Sequence, residues 1–553
     1  MTNPVIAKHF QELARLMELH GDNPFKIRSY TNAYNKLRKD DRPLAEMTEP
    51  DLQKLEGVGK AIAGKIHELA TTGEMATLEK WREQTPPGIR EMLTIRGFGP
   101  KKVKAVWDGL GTTTVGQLLY AINENRLVEL KGFGAKTQHT LKQKLEFHQR
   151  SRGQFLFREL DLVADAFTQE LSRRFPETRT ERTGALRRCC PTLSRMALIT
   201  TLAPASSPTS ERSSAAKIPG VENLLTEGNK TIGTVDGYPF VLHHVTESNF
   251  GSKQFKHTGS ADFLKAFIAL FPDQDFTDIA TEAEIFARVA FQYIEPELRE
   301  DDTYLEVARN GELPKLIEAA DIRGVVHSHS TYSDGIHTLR EMATAARDKG
   351  YAYLVISDHS QAAFYANGLK VDRVRDQWAE IDVLNAELAP FHIYKSIESD
   401  ILTDGSLDYS DDILAGFDVV IASVHSNLNM DEEKATERLL TAIRNPYTTI
   451  LGHPTGRLLL SRAGYPIDHK RVIDACAEHD VVIELNANPY RLDVDWTWIP
   501  YAVERGVQIS INPDAHSMGG IDDIRYGVLA ARKGGLTKEA CWNTTEKIIL
   551  GIR

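Results

Sequence analysis

The chain has 553 residues, too many for one core, and its 41% hydrophobic and 26% charged composition is that of ordinary globular protein in three or four domains. No long apolar run and no basic-then-apolar leader occurs, so neither a membrane span nor a secretory signal is expected. Four scattered cysteines, Cys189, Cys190, Cys476 and Cys541, exclude a disulfide framework and point to a reduced cytoplasm. The net charge of −11 is uneven: residues 1–150 carry 24 Lys and Arg against 18 Asp and Glu, leaving 42 against 59 for the rest of the totals of 66 and 77. A basic front suits a polyanion partner, and an acidic rear suits a site that gathers cations.

The front holds a short internal repeat. Leu55-Glu56-Gly57-Val58-Gly59-Lys60 is followed by Ile62 and Ile66 at helical spacing. Ile95-Arg96-Gly97-Phe98-Gly99-Pro100-Lys101-Lys102 precedes Val103 and Val106, and Leu130-Lys131-Gly132-Phe133-Gly134-Ala135-Lys136 precedes Leu141. Each copy predicts a helix end, a Gly-apolar-Gly turn and a new helix. Glycines permit close backbone approach, and the free N–H groups of the new helix attract an anion. One Gly-x-Gly is equally a plain C-cap and tight turn. Three copies, each with lysine one or two positions later, point to sequence-independent contact with a nucleic-acid backbone through Gly57, Gly59, Lys60, Gly97, Gly99, Lys101, Lys102, Gly132, Gly134 and Lys136.

These segments resemble helix-hairpin-helix motifs. The stretch from Asn23-Pro24-Phe25-Lys26-Ile27-Arg28-Ser29-Tyr30 to Lys65 is similar to the small N-terminal domain of family X DNA polymerases. That resemblance implies two alternatives for Lys65, a Schiff-base lysine of deoxyribose-phosphate lyase chemistry or a phosphate contact.

Residues 151–316 resemble the palm and thumb of the same family, through Gly184-Ala185-Leu186-Arg187-Arg188, Phe250-Gly251, Thr258-Gly259-Ser260 and Ile294 to Asp301. The family pattern has Gly-Ser, two arginines, an Asp-x-Asp pair and a third Asp, which together hold two Mg²⁺ ions. Here the pair falls at Arg195 and Ala197 and the third acid near Val241, and Ala185 replaces the serine. No Asp-x-Asp occurs between residues 165 and 257, so nucleotidyl transfer is expected to be absent. The insertion from Pro204 through Ala216 is expected to be a polar, flexible loop.

From residue 321 one pattern recurs seven times: an apolar strand, metal-capable residues at its end, then usually a helix-length segment. The strand ends carry His327-Ser328-His329 with Asp334, Asp358-His359, Glu398-Ser399-Asp400, His425, Gly452-His453-Pro454, Asn486 with Asn488, and Asp514-Ala515-His516. Near-continuous apolar strands alternating with helices predict a parallel sheet covered on both sides, and chemistry at the C-terminal strand ends predicts a β/α barrel. One histidine at a strand end is unremarkable, whereas this set predicts a metal site.

The pattern resembles the PHP (polymerase and histidinol phosphatase) domain across residues 321–553. That resemblance implies three divalent ions: one held by His327, His329, Glu398 and Asp514, a second sharing Glu398 with His425 and His453, and a third on Asp334, His359 and His516. Mixed imidazole and carboxylate donors suit Zn²⁺, Mn²⁺ or Fe²⁺, with Mn²⁺ favoured by the polymerase-linked members. Glu398, His425 and His516 are the catalytic candidates. Arg457 and Arg491 are each a candidate phosphate clamp or a structural salt bridge. Tyr332 and Tyr490 are base-stacking or simple rim residues, and Asp358 and Asp400 either ligate or orient neighbours.

The expected architecture is therefore multidomain α/β. An all-α helix-hairpin-helix region (1–80 lyase-like, 81–150 fingers-like) precedes a central α+β degenerate nucleotidyltransferase-like palm and thumb (151–316) and a C-terminal (β/α)7 PHP barrel (321–553). This order matches bacterial family X polymerases and implies a metal-dependent phosphodiesterase of DNA repair. A 3′→5′ exonuclease on duplex, gapped or 3′-ended DNA is the leading reading, with abasic-site endonuclease activity as a possible companion. The alternatives are a small-molecule phosphomonoesterase resembling histidinol phosphatase and a non-catalytic repair scaffold.

Overall fold

The computed structural model describes residues 1–123, 127, 130, 132–151, 153–204, 218–460 and 463–547. Lys131 of the third hairpin and residues 205–216 of the expected loop lie outside them. Two compact units result, Met1–Arg152 and Gly153–Arg553.

The first unit is all helical: α1 (Asn3–Leu19), α2 (Pro24–Leu37), α3 (Glu49–Gln53), α4 (Lys60–Thr72), α5 (Ala76–Glu83), α6 (Pro87–Thr94), α7 (Pro100–Leu110), α8 (Val115–Asn123) and α9 (Ala135–Ser151). One apolar core runs through it, from Phe10 and Leu13 through Ile66 and Val106 to Leu145. The turns have a common build. Gly57 and Gly97 sit at φ 80° and Gly132 at φ 92°, the left-handed region that only glycine enters freely. The central residues Val58, Phe98 and Phe133 are buried and anchor each turn to the core.

The second unit opens with a two-residue bridge of β1 (Phe155–Leu156) with β3 (Thr192–Leu193), beside α10 (Phe157–Arg174). A five-stranded sheet follows, with β2 (Thr180–Arg182), β4 (Met196–Thr200), β5 (Val221–Glu227), β6 (Lys230–Val235) and β7 (Tyr238–His244) in the order β2-β4-β7-β6-β5. Helices α11 (Gly184–Arg187), α12 (Phe250–Thr258), α13 (Ala261–Leu270), α14 (Glu282–Arg288) and α15 (Leu305–Asn310) complete the α+β part. Strands β4 and β7 run parallel with Ala197 opposite Val241, so two of the three positions expected to have lost their acids are direct neighbours.

The barrel strands are β8 (Gly324–Ser328), β9 (Tyr353–Ile356), β10 (His392–Asp400), β11 (Val419–Ser423), β12 (Ile450–Leu451), β13 (Val482–Asn486) and β14 (Ile509–Asn512), all parallel and adjacent in sequence order. Bonds of 2.9 Å from His329 N to Ala515 O and 3.2 Å from Ala515 N to His327 O bring β14 round to β8 and nearly close the ring. Covering helices are α16 (Leu339–Asp348), α17 (Val371–Leu388), α18 (Asp411–Leu414), α19 (Glu432–Ile443), α20 (His469–Glu478), α21 (Ile499–Glu504) and α22 (Ile524–Lys533). Helix α16 starts with a capping box: Thr338 Oγ1 accepts from Glu341 N at 3.2 Å and the Glu341 carboxylate accepts from Thr338 N at 2.8 Å. Strand faces are apolar on both sides because helices cover the outside and Val326, Val355, Ile421 and Ile450 pack within. Strand β10 runs on through Asp400, so Glu398 and Asp400 belong to the strand itself rather than to the loop after it. Among the described residues no helix is long and apolar enough to cross a membrane.

Buried charge knits the second unit together. Asp161 of α10 is fully buried between Arg182 of β2, at 2.5 Å, and Arg525 of α22. Arg299 is also fully buried, 2.6 Å from Glu282 Oε1 and among the rings of Phe286 and Tyr293, while Arg187 approaches Glu282 Oε2 at 2.7 Å. Burial works against charge on Glu282, but Arg299 and Arg187 together hold its carboxyl below the ordinary value. The stabilisation is therefore present above the unfolded glutamate value of about 4.3 and is lost as pH falls through the depressed folded value. Arg299→Met removes one partner of a buried pair and is expected to cost about 3–5 kcal/mol at pH 7, with a smaller cost at pH 4, read from urea unfolding midpoints.

Candidate metal centre and hairpin surface

At the C-terminal end of the barrel the Glu398 carboxylate, 1% exposed, is ringed by imidazoles. His359 Nδ1 lies 2.9 Å from it, His453 Nε2 3.0 Å, His425 Nε2 3.1 Å, His327 Nε2 3.2 Å and His329 Nε2 3.6 Å. Asp514 Oδ1 stands 3.1 Å from His329 Nε2 and 3.7 Å from both His327 Nε2 and His516 Nδ1. Asp334 Oδ1 closes the mouth, 3.4 Å from His516 Nε2 and 3.7 Å from His359 Nε2. All nine expected ligands thus converge.

Three sets bring donor atoms close enough to share an ion: His329, Asp334, His359 and His516; His327, His329 and Asp514; and His359, Glu398 and His425. This partition differs from the expected one: Glu398 is not in the His327, His329 and Asp514 set, and His453 is in none of the three although it lies 3.0 Å from Glu398. His329 also faces the Asp334 set, and His359 reaches Glu398 through Nδ1 as well as Asp334 through Nε2, because Glu398 stands at the centre of the ring rather than to one side. The donor set fits divalent cations. His327 Nε2, His329 Nδ1 and Glu398 Oε2 are buried without a well-aligned hydrogen bond, an arrangement that is costly for a protein alone and natural for ligands.

Local electrostatics point the same way. Burial disfavours charge on His327 and His425, yet Glu484, Glu398 and Asp514 raise His327 well above the usual range, and Glu398 with Asp400 pushes His425 up to about 10. Burial also opposes ionisation of Asp334, but its bond and attraction to His516 bring it down to about 2, and Asp334 and Asp514 lift His516 to about 9 against burial. His329 goes the other way, to about 4, through burial and then repulsion by His516 and His359. The carboxylates demand positive charge, which protons supply when cations do not.

The converging side chains are held by their neighbours and by their own backbone. His327 Nδ1 lies 2.6 Å from Glu484 Oε2, which fixes the ring and aims Nε2 inward. Glu484 in turn accepts from Asn512 Nδ2 at 2.8 Å, Asn486 Nδ2 at 2.9 Å and His453 N at 3.1 Å. His425 Nδ1 lies 2.5 Å from Asp400, so Asp400 orients rather than faces the centre. Asp358 accepts from Ser330 N at 2.8 Å, Ser333 Oγ at 2.5 Å and Gln377 Nε2 at 2.6 Å, and serves to hold the loop after His329. His327, His453 and Asp514 have φ of 62°, 21° and 51°, a strained region for residues with a Cβ. Glu484 was not singled out in the sequence, although one carboxylate in the apolar run Val481-Val482-Ile483-Glu484-Leu485 signals a buried charge with a partner.

Arg457 does not fit the expectation of a phosphate clamp. Its guanidinium is spent on Asp495 at 2.5 Å, Arg491 O at 2.9 Å and Leu492 O, so it braces the loop after β13. Arg491 Nε instead stands 3.7 Å from Asp514 Oδ2, beside the centre. Tyr490 is 54% exposed, while the Tyr332 hydroxyl donates to Glu380 at 2.8 Å. In the first unit Lys60, Lys101, Lys102 and Lys136 are exposed beside their turns, and Gly59, Gly99 and Gly134 have open space over their Cα atoms. Lys65 is half-buried and donates to Thr77 Oγ1 at 2.8 Å.

Residues 1–75 match the model of a helix-hairpin-helix domain, and residues 89–146 match that of a SAM-like helix-hairpin-helix tandem. The chain is 34% identical over 98% of its length to the DNA polymerase/3′-5′ exonuclease PolX of Bacillus subtilis (strain 168), covering 96% of that protein. The chain belongs to the PHP-bearing bacterial family X DNA polymerases. Its C-terminal part is also similar to a probable phosphatase of Thermoanaerobacter sp. (strain X514), 28% identical over 39% of this chain and 89% of that one. A probable phosphatase of Shewanella sp. (strain MR-4) is 27% identical over 35% of this chain and 78% of that one. The helical front, the mixed α/β middle and the seven-stranded parallel barrel are the family X architecture with its PHP domain.

If Glu484 orients His327, Glu484→Gln will leave the fold intact and weaken divalent-metal binding about 10- to 100-fold. Competition between the full chain and a chromogenic chelator for Mn²⁺ measures this.

Proposed function

We propose that this chain is a metal-dependent phosphodiesterase of DNA repair, acting as a 3′→5′ exonuclease with abasic-site endonuclease activity as a companion, and that its palm no longer transfers nucleotides. The observation that carries the reading is the Glu398 carboxylate enclosed by five imidazoles at the barrel mouth, in a chain whose front carries three glycine hairpins. The functional segments are 1–80, 81–150, 151–316 and 321–553.

His327, His329, Asp334, His359, Glu398, His425, His453, Asp514 and His516 would hold up to three divalent ions, Mn²⁺ favoured over Zn²⁺ and Fe²⁺. Bound there, such ions supply Lewis-acid polarisation of a phosphoester and neutralise charge in the transition state. The chain's own contribution is preorganisation. Glu484 and Asp400 fix the ring orientation of His327 and His425, the left-handed backbone at His327, His453 and Asp514 fixes side-chain direction, and Arg491 meets the phosphate. Glu398, His425 and His516 are the proposed catalytic side chains with it.

The proposed loss of nucleotidyl transfer is supported by Ala197 lying opposite Val241 on adjacent strands, with Arg195 exposed beside them. The arginines of the Gly184-Ala185 motif are engaged elsewhere. Arg187 holds Glu282 and donates to Thr258 Oγ1 at 3.0 Å, while Arg188 donates to Thr258 O at 2.6 Å and pairs with Glu300 at 2.8 Å.

Purified protein with Mn²⁺ is expected to shorten a 3′-labelled primer annealed to a template. It should leave a chromogenic phosphomonoester nearly untouched and add no nucleotide when all four triphosphates are present. His327→Ala and Glu398→Ala are each expected to cut nuclease activity at least 100-fold, on the scale of lost electrostatic catalysis. Undigested DNA with wild-type protein sinks the nuclease reading, rapid turnover of the phosphomonoester favours the phosphatase alternative, and primer extension overturns the claim about the palm.

A further inference from the structure

The three hairpins share a shape but not a charge. In the first, Lys36 of α2 lies over the turn, and a Cβ on Gly57 would stand 3.0 Å from its Nζ. That ammonium is already neutralised by Glu56 at 2.7 Å, the residue just before Gly57. In the second hairpin Lys144 of α9 lies over the turn in the same manner, and a Cβ on Gly97 would stand 2.6 Å from its Nζ. The residue just before Gly97 is Arg96, so the position that neutralises the first turn adds positive charge to the second.

Around Lys144 lies a cavity of about 220 Å³ lined by Gly97, Phe98, Lys102, Phe133, Lys136 and Lys144 together with neighbouring threonines. At about 30 Å³ per water it admits a phosphate group and several waters. Among the described residues that line it there is no carboxylate. Glu91, an acid of the preceding helix, contacts His148 at 3.3 Å. The Lys144 ammonium is held below its ordinary range, first by burial and then by repulsion from Lys102 and Arg96. An anion in this space relieves that repulsion.

We propose that the second and third hairpins share one phosphate pocket, in which Lys144, from outside either Gly-x-Gly motif, reaches over Gly97 to meet Lys102 and Lys136 around a nucleic-acid phosphate, while the first hairpin is charge-compensated by Glu56. This rests on the reading that the hairpins bind DNA. It narrows that reading from three equivalent contacts to one principal site. Gly97 then has a double role: its left-handed backbone forms the turn, and its missing Cβ leaves the place where the Lys144 ammonium rests.

The test is fluorescence anisotropy of full-length protein on a labelled blunt duplex in EDTA, which prevents cleavage, across a range of salt concentrations. The duplex is prepared with 5′-hydroxyl and with 5′-phosphate ends. Lys144→Met is expected to weaken binding about tenfold and to reduce the slope of log K against log salt by about 0.9, the loss of one phosphate contact. Lys144→Arg should keep the slope and Lys36→Met should match wild type, with melting curves reporting that each variant is folded. Equal loss on both duplexes assigns the pocket to an internal diester, and loss on the 5′-phosphorylated duplex alone assigns it to a terminal monoester. An unchanged slope for Lys144→Met on both, with wild type binding normally, overturns the pocket. If wild type shows no salt-dependent binding, the DNA reading fails and the pocket with it.

Discussion

A carboxylate with 1% of its surface exposed survives as an anion only if positive charge is brought beside it, and Glu398 has five imidazoles around it that can carry that charge. Much of the barrel follows from that requirement. The strands must be apolar on both faces so that helices seal the outside, yet each must end in a residue that turns inward to the same point. Glu484 and Asp400 sit one layer further out and hold the rings that face Glu398. Left-handed backbone at His327, His453 and Asp514 shows how far the chain bends from its preferred conformation to aim them.

The middle of the chain has the opposite character. Its charged groups are consumed inside the fold: Arg187 and Arg299 by Glu282, Arg188 by Glu300, and Asp161 by Arg182 and Arg525. The Asp161–Arg525 pair spans 364 residues and the Lys533–Glu300 pair 233, so residues 153–553 cohere as one unit. The arginines beside Gly184 therefore act as struts.

Much of this was legible in the sequence. Seven apolar runs with His, Asp, Glu or Asn at their ends gave the parallel barrel and the nine side chains that converge at its mouth, because period and chemistry coincide at each strand. The Gly-apolar-Gly repeats gave the turns, since only glycine enters φ near 80° freely. What was not legible depends on the third dimension. The sharing of His359 between Glu398 and Asp334 requires both ring nitrogens to be placed. The roles of Asp358 and Asp400 as supports depend on partners up to 28 residues away in the chain. Arg457 looked like Arg491 in sequence and differs only in that its guanidinium is already filled. The reach of Lys144 over Gly97, across 47 residues of chain, has no local signal at all.

The pairing of Ala197 with Val241 on adjacent parallel strands also bears on how the protein responds to its ionic surroundings. A palm with three clustered aspartates carries like-charge repulsion whenever divalent cations are scarce. Here β4 and β7 pair with an alanine opposite a valine, so that register carries no such repulsion. Among the described residues the donor sets for divalent cations all lie at the barrel mouth, so the pairing of the middle strands stands apart from them.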